Sequence, residues 1–262
     1  SQTLDFDRLK IGLEYARRGG AYTAILTGKA DPLQEKPKYL YELLKMCREH
    51  VPTVDMHTNG WGFHHNPTLM TSLKDRGLTM CTFSIAHHDP KINNPLMGMR
   101  RDYDPWEQVH KASQMGFLVR CSVVLTNPGV RFLLSLMTYI RQAKKAGAHQ
   151  VVVRELWLPQ DCKTTNNDVY DWNKQNVIDL DEIHTKVVNR LARNLDKDSD
   201  YRTKVALVRH LPWGTPVYEI DGINVTFARC EESYNGGTLK SLVHRVDGHG
   251  YMDWDHDGSI LY

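Results

Sequence analysis

The stretch from Phe117 to Trp157, FLVRCSVVLTNPGVRFLLSLMTYIRQAKKAGAHQVVVRELW, decides the fold class. It begins with a β-branched and apolar run, turns at TNPG, continues as an amphipathic helical pattern and ends in a second apolar run. This order is typical of a βαβ unit, in which a helix joins two parallel strands. Gly147 follows the helical pattern, at the place where a left-handed residue is favoured.

The same cycle of strand, polar turn and helix occurs three times before this stretch. Apolar runs begin at Ala21, Val51 and Leu78, and helices are predicted after them over about 38–49, 67–76 and 105–115. A further helix is predicted over 4–18. Strands as apolar as these are expected when helices cover a parallel sheet.

The pattern changes in the last third of the chain. A helix is predicted over 176–194 and a sixth strand over 203–210. Beyond them, VYEIDGINVTFARC (217–230) and LVHRVDGHGYMDW (242–254) predict antiparallel hairpins. We therefore expect an α/β fold: a partial (β/α)6 TIM-like barrel in residues 1–210, followed by a small C-terminal antiparallel β extension in residues 211–262.

Composition favours a soluble, cytoplasmic protein with a sizeable core. Hydrophobic residues make up 41% of 262 positions, and 33 basic against 31 acidic residues leave a formal charge of +2. This balance does not imply a nucleic-acid partner. No apolar run approaches the roughly 20 residues of a membrane span. No signal peptide is evident.

Five cysteines are spread along the chain at positions without CxxC or CxxxCxxC spacing: Cys47, Cys81, Cys121, Cys162 and Cys230. We predict that they are reduced and mostly buried. In a parallel barrel, ligands bind at the carboxyl ends of the strands, so the polar turns there are the candidate site. The long polar loop over 159–175 is a candidate binding loop.

Five strand-end motifs resemble those of the radical S-adenosylmethionine (radical SAM) superfamily, most closely its members of the molybdenum-cofactor-biosynthesis type. The resemblance covers about residues 4–159. The motifs, in chain order, are AYTAILTGKADPL (21–33), HTNGWG (57–62), TFSIAHHDP (82–90), LVRCSVVL (118–125) and VVVRELWLP (151–159). Four of them stand in the family's order at successive strand ends.

The resemblance implies a set of SAM-binding positions. Backbone in the loop Gly28, Lys29, Ala30 and Asp31 would hold the amino group of the methionine moiety, although Ala30 and Asp31 replace the usual glycine and glutamate. Asn59 and Ser84 match the next two motifs, whose serine contacts the carboxylate or the ribose. Arg120 would face the pocket, and the backbone near Leu158 would lie along the adenine.

The chain departs from the family in lacking CxxxCxxC, which binds a 4Fe-4S cluster after the first strand. Either an N-terminal part is missing from this chain, or the protein has abandoned radical chemistry. We favour the first explanation, because Lys29, Asn59, Ser84 and Arg120 are all present, and we expect the cluster ligands upstream of Ser1. The first strand and the cluster loop of the barrel would be missing with them.

The implied enzyme cleaves SAM reductively and abstracts hydrogen from a small-molecule or nucleotide-like substrate. It would be an oxidoreductase or lyase that receives electrons from an external donor such as flavodoxin or ferredoxin. A second hypothesis is a cluster-free barrel that binds SAM or another ligand without radical chemistry. A third is a metal-independent aldolase or isomerase, for which Lys29 with Asp31 is the nearest candidate pair.

No catalytic acid, radical relay or metal ligand is assigned from the sequence. His57, His64 and His65 surround the TNG turn, where each is either an acid–base group or a structural histidine. Arg120 either binds a ligand's carboxylate or phosphate or forms a salt bridge with Asp55 or Glu155. His87, His88 and Asp89 offer ligand types for a metal, but adjacent residues of an extended segment point in opposite directions.

Overall fold

The structure is a computed structural model, which describes residues 4–28, 30–158, 167–194, 205–212, 214–229, 234–235, 238–239, 241–252 and 257–262. The described strands are β1 (Thr23–Leu26), β2 (Thr53–Thr58), β3 (Met80–Ser84), β4 (Leu118–Val124), β5 (Gln150–Arg154), β6 (Val205–His210), β7 (Pro216–Ile220), β8 (Ile223–Ala228), β9 (Tyr234–Asn235), β10 (Thr238–Leu239), β11 (Val243–His244) and β12 (Gly250–Tyr251). The described α-helices are α1 (Phe6–Arg18), α2 (Pro37–His50), α3 (Trp61–His65), α4 (Pro67–Asp75), α5 (Pro90–Leu96), α6 (Pro105–Gln114), α7 (Leu133–Lys145), α8 (Asn167–Asn176) and α9 (Leu180–Asn194).

Eight strands form one curved sheet in the order β1-β2-β3-β4-β5-β8-β7-β6. The first five strands are parallel, and β8 continues the parallel set beside β5. Strands β7 and β6 follow as antiparallel neighbours at the far edge. The expected α/β fold, a partial TIM-like barrel with antiparallel β structure towards the C-terminus, is therefore confirmed.

The predicted strand over 203–210 is present as β6, but β6 does not lie beside β5. The sixth parallel strand is instead β8, the second arm of the predicted Asp-Gly hairpin. Asp221 and Gly222 form the turn, both with positive φ, as a tight hairpin requires. The main sheet thus extends past residue 210, and the division of the chain at that residue stays a prediction.

The connection after β5 contains more helix than the sequence indicated. Helix α8 occupies Asn167–Asn176, most of which was predicted as loop, and the helix predicted over 176–194 begins at Leu180. The side-chain amide of Asn176 donates to the carbonyl of Trp172, one turn back, which supports the end of α8. Asp179 then accepts from the backbone N–H of Asp181 at 2.8 Å and caps α9.

The two faces of the sheet differ sharply in polarity. The side that packs against the helices is apolar and fully covered, with exposures of 1% or less for Val54, Met56, Cys81, Phe83, Val119, Cys121, Val123, Val151 and Val153. We call this the helix-facing side. The alternate residues point to the concave side, where most of them are polar and many are half-buried.

The C-terminal residues return to α1. Strands β11 and β12 form the predicted second hairpin, and the ring of Tyr262 stacks on Tyr15 with centroids 5.5 Å apart. A Cβ on Gly12 would collide with the Tyr262 hydroxyl, so α1 needs glycine there. None of the described helices combines the length and the hydrophobicity that crossing a membrane requires.

Candidate functional site

The loop after β1 and the turn after β2 are tied together by one carboxylate. The hydroxyl of Thr58 donates to the carboxylate of Asp31, with distances of 2.8 and 3.0 Å to its two oxygens, and the backbone N–H of Asn59 donates to it at 2.7 Å. Asp31 also accepts from the backbone N–H of Leu33 at 2.9 Å and so caps a short 3-10 turn. We call this set of bonds the Asp31 latch. Both carboxylate oxygens therefore accept hydrogen bonds within the protein.

The loop that precedes the latch is open to solvent. Gly28 and Ala30 are exposed, and a Cβ on Gly28 would meet nothing closer than the Ala30 carbonyl at 3.7 Å. Lys29 lies outside the described residues. The cofactor-binding role of all three positions stays a prediction.

The TNG turn is rigid. The side-chain oxygen of Asn59 accepts from the N–H of Trp61 at 2.9 Å, and its backbone carbonyl accepts from the Tyr103 hydroxyl at 2.8 Å. Gly60 has φ +81°, and a Cβ there would lie 2.5 Å from that hydroxyl. Burial is the main reason why the pKa of Tyr103 is raised, so its hydroxyl keeps its proton beyond the pH range usual for tyrosine.

A pocket of about 360 Å³ opens beside this turn, between the Asp31 latch and the residues around Met99. Its polar lining comes from Asp31, Gln34, Asn59, His65 and Arg100, with Trp61 as the aromatic wall. A larger groove of about 600 Å³ runs between α2 and α4. That groove follows the outer surface of α2 from Lys38 to Glu49 and reaches the end of α4 at Asp75, and it contains none of the predicted site residues.

Below the turn, a charged cluster occupies the concave side. Asp55 is 1% exposed and accepts from the Thr82 hydroxyl at 2.9 Å on both oxygens. Arg120 donates to Asp55 at 3.3 Å and to the side-chain oxygen of Gln150 at 3.0 Å. The salt bridge between Arg120 and Asp55, one of the two alternatives for this arginine, is present. Arg120 still keeps 24% of its side chain exposed, so a ligand can reach it.

His57 stands two residues above Asp55 on β2 and borders the same cluster. Its Nε2 lies 3.4 Å from the Asp55 carboxylate. This buried nitrogen makes no hydrogen bond with any described group. A buried nitrogen without a partner is a place where a ligand or water is expected to bind.

Ser84 and Leu158 occupy two further strand ends. Ser84 closes β3, half-buried, and pairs in register with Ser122 of β4. Leu158 follows β5 and is also half-buried, next to Trp157, whose carbonyl accepts from the Asn173 amide of α8 at 3.3 Å. Neither position is tested by these contacts, and both stay predicted SAM-binding residues.

The histidine pairs make local contacts among the described residues, and an acid–base role for His57, His64 or His65 stays a prediction. His87 accepts from the N–H of Asp89, its ring lies 4.1 Å from that of His88, and burial lowers the pKa of both rings. Asp89 caps α5 by accepting from Lys91. His64 and His65 pack around Trp61. No group of three metal-ligating side chains occurs within the described ranges.

The described cysteines do not fit an iron–sulfur cluster. Cys47, Cys81 and Cys121 are buried free thiols, as predicted, and the last two lie on the helix-facing side of the sheet. Burial raises the pKa of the Cys47 thiol to about 12 and raises the pKa of the other two as well. Neutral, enclosed thiols are poor metal ligands. Cys162 and Cys230 lie outside the described residues.

The sequence reasoning missed Thr82, Gln150 and His57 as members of one cluster. The signal was available in β4, where the inward positions Arg120 and Ser122 alternate with Val119 and Cys121. Treating the strands as continuous apolar runs hid this period of two, which marks a sheet with one polar face.

Comparison with known proteins places the fold but not the chemistry. No family model and no curated protein matches the sequence. The chain is similar to SuiB of Streptococcus suis, with a TM-score of 0.51 and 14% identity over 87% of this chain and 44% of that protein. At this identity the likeness shows the fold alone.

More remote structural neighbours include both radical SAM enzymes and other proteins. The radical SAM coproporphyrinogen III oxidase HemN of Escherichia coli aligns at a TM-score of 0.45 and 9% identity, over 72% of this chain and 45% of that one. A putative dihydrodipicolinate synthase family protein from Coccidioides immitis aligns at 0.38 and 13%, over 58% of this chain and 47% of that one. The chain thus spans less than half of each of these three proteins. Nothing is concluded about this chain from the last two, whose TM-scores are below 0.5.

Proposed function

We propose that this chain is the SAM-binding barrel core of a radical SAM enzyme that acts on a small-molecule or nucleotide-like substrate. The observation that carries the proposal is the Asp31 latch. It holds the two loops whose motifs resemble the family's at the carboxyl ends of neighbouring parallel strands, directly above a charged concave side. Strand ends of this kind are where α/β barrels bind their ligands.

The residues present fit a ligand with an amino group and a carboxylate. The backbone at Gly28 and Ala30 is exposed, so its carbonyls are open to an ammonium group, which the latched Asp31 would not bind directly. Ser84 offers a half-buried hydroxyl and Arg120 a reachable guanidinium. Arg120 cannot turn freely towards a ligand, because Asp55 and Gln150 hold it from two sides.

SAM, when bound in such an enzyme, supplies a radical that removes hydrogen from the substrate. The chain's own contribution would be to orient the ligand against the rigid TNG turn and to shield it from water. The cluster itself does not fit the described cysteines, and we assign its ligands to residues upstream of Ser1. The external electron donor and the cytoplasmic location belong to the same proposal.

The test uses the complete reading frame, including any residues before Ser1, expressed and reconstituted anaerobically. We expect about four irons per chain and SAM binding by equilibrium dialysis. Ser84→Ala should weaken SAM binding, whereas the matched Ser72→Ala on the outer helix α4 should not. Reconstituted protein that binds neither iron nor SAM would contradict the proposal.

The cluster-free alternative has one observation in its favour, since the three described cysteines are enclosed in the core. It predicts that the reconstituted protein binds SAM, or another ligand at the same strand ends, without iron. Iron content therefore separates the two functions, and SAM binding alone does not.

A further inference from the structure

Arg154 is a second arginine on the concave side, and its position follows from the register of β5. Val151 and Val153 pack against the helices with exposures of 1% and 0%, so Arg154 points the other way, together with Gln150. It is the last residue of β5, half-buried, at the carboxyl end of the strand. It therefore lies at the mouth of the barrel.

The guanidinium of Arg154 has no acceptor among the described residues. Its neighbours in register are Val124 on β4 and Ala228 on β8, both without charge. Asp55 supplies the one carboxylate on the concave positions of the described parallel strands, and it is already occupied by Thr82 and Arg120. Arg154 is thus a half-buried cation that makes no ion pair with Asp55.

The two arginines act on each other. Burial is the main reason why the pKa of Arg120 is lowered, and the positive charge of Arg154 lowers it further. The two guanidinium groups are therefore close enough to repel each other. On the described parallel strands a single carboxylate faces two arginines, so this part of the concave side carries an excess positive charge. Leaving such a charge half-buried costs free energy unless an anion binds there.

We propose that Arg154 binds an anionic oxygen group, a phosphate or a carboxylate, of the substrate at the mouth of the barrel. The guanidinium of Arg154 provides a planar pair of N–H donors that matches such a group. The positive charge of Arg120, deeper on the concave side, also attracts the anion. The small side chain of Ala228 leaves room beside it. The assignment to substrate rests on the proposed function, whereas the existence of an anion site does not.

The test measures binding of two simple anions, inorganic pyrophosphate and succinate, to the full chain by calorimetry at low ionic strength. Arg154→Gln should weaken binding of at least one of them by roughly tenfold or more, which is the usual worth of a charge-assisted hydrogen bond. Arg154→Lys keeps the charge and should lose less. The matched control Arg209→Gln removes a strand arginine at the exposed edge β6 and should change nothing.

SAM binding to the same variants separates the possible outcomes. Unchanged anion affinity in Arg154→Gln, or no anion binding to the wild type, overturns the proposal. An equal loss of SAM and anion affinity also overturns it, because Arg154 would then serve the cofactor. Anion binding that depends on Arg154 in a protein that does not bind SAM would support the anion site while refuting the proposed function.

Discussion

The helix-facing and concave sides of the sheet come from alternate residues of the same short strands. Cys81, Phe83, Cys121 and Val123 are fully covered by helices, whereas Thr82 and Ser84, on the same β3 as the first two, belong to the polar concave side. Residues that stabilise the core and residues of the candidate site are therefore separated by one position along the chain. Substitutions at neighbouring residues should therefore have very different effects.

The largest effect is expected at β3, where neighbouring residues face the two sides of the sheet. Phe83→Ala removes a fully buried ring and should lower the free energy of unfolding by about 4 kcal/mol, because the core cannot close around the cavity. Ser84→Ala, one residue further on the other side, should change it by less than about 0.5 kcal/mol. Urea unfolding measures both, and equal losses would show that the two sides are not distinct.

Asp55 should be the exception on the concave side. Asp55→Ala leaves Thr82 and Arg120 without their shared acceptor and should cost about 3 kcal/mol, reduced to the extent that water reaches Arg120. In a double-mutant cycle, Arg120→Ala should cost much less in the Asp55→Ala background than alone. Additive losses would mean that the salt bridge does not hold the strands.

Gly60 marks the point where β2 leaves the sheet. Gly60→Ala places a Cβ 2.5 Å from the Tyr103 hydroxyl at a φ of +81°, so strain and collision add, and we expect a loss of about 2–3 kcal/mol. Gly20→Ala has a similar φ of +85° with no atom within 4 Å, and should cost about 1 kcal/mol. If thermal unfolding shows the same shift for both, the turn is not tightly packed.

The smallest effect concerns the buried thiols at alkaline pH. Unfolded cysteine loses its proton near pH 8.5, about the usual value, while burial keeps the folded Cys121 thiol protonated well above that. The unfolded state then binds fewer protons, so the stabilising contribution is complete below about pH 8.5 and declines as pH rises. Each such thiol adds a slope of up to about 1.4 kcal/mol per pH unit. Cys121→Ala should make the decline between about pH 9 and 10.5 shallower, and an unchanged slope would contradict this.

The order of strands and helices could be predicted because it depends on short-range sequence patterns, namely hydrophobic periodicity and the residues at the ends of helices. Helices α2, α4 and α6 begin and end within about two residues of the predicted ranges, since proline, capping residues and glycine mark their ends. The Asp-Gly hairpin was recognised for the same reason, as its turn chemistry is local.

The strand that pairs with the outer edge of β5 could not be predicted, because no short-range sequence pattern shows which distant strands pair. Both β6 and β8 are plausible strands by composition, and only the fold decides that β8 lies beside β5. The salt bridge of Arg120 was foreseen as one of two alternatives. The surroundings of Arg154 depend on which residues lie near it in space, and the sequence pattern alone does not show them.

The position of β8 has a consequence for the order of folding. Gln150 pairs with Asn224, 74 positions further along the chain, so β5 is synthesised long before its outer neighbour. During that interval the outer backbone edge of β5 has no strand partner, although helices can already cover Val151 and Val153. Long-range parallel pairing forms slowly and leaves such edges open to association with other chains. Aggregation during expression should therefore respond more to the stability of the β7–β8 hairpin than to that of α1.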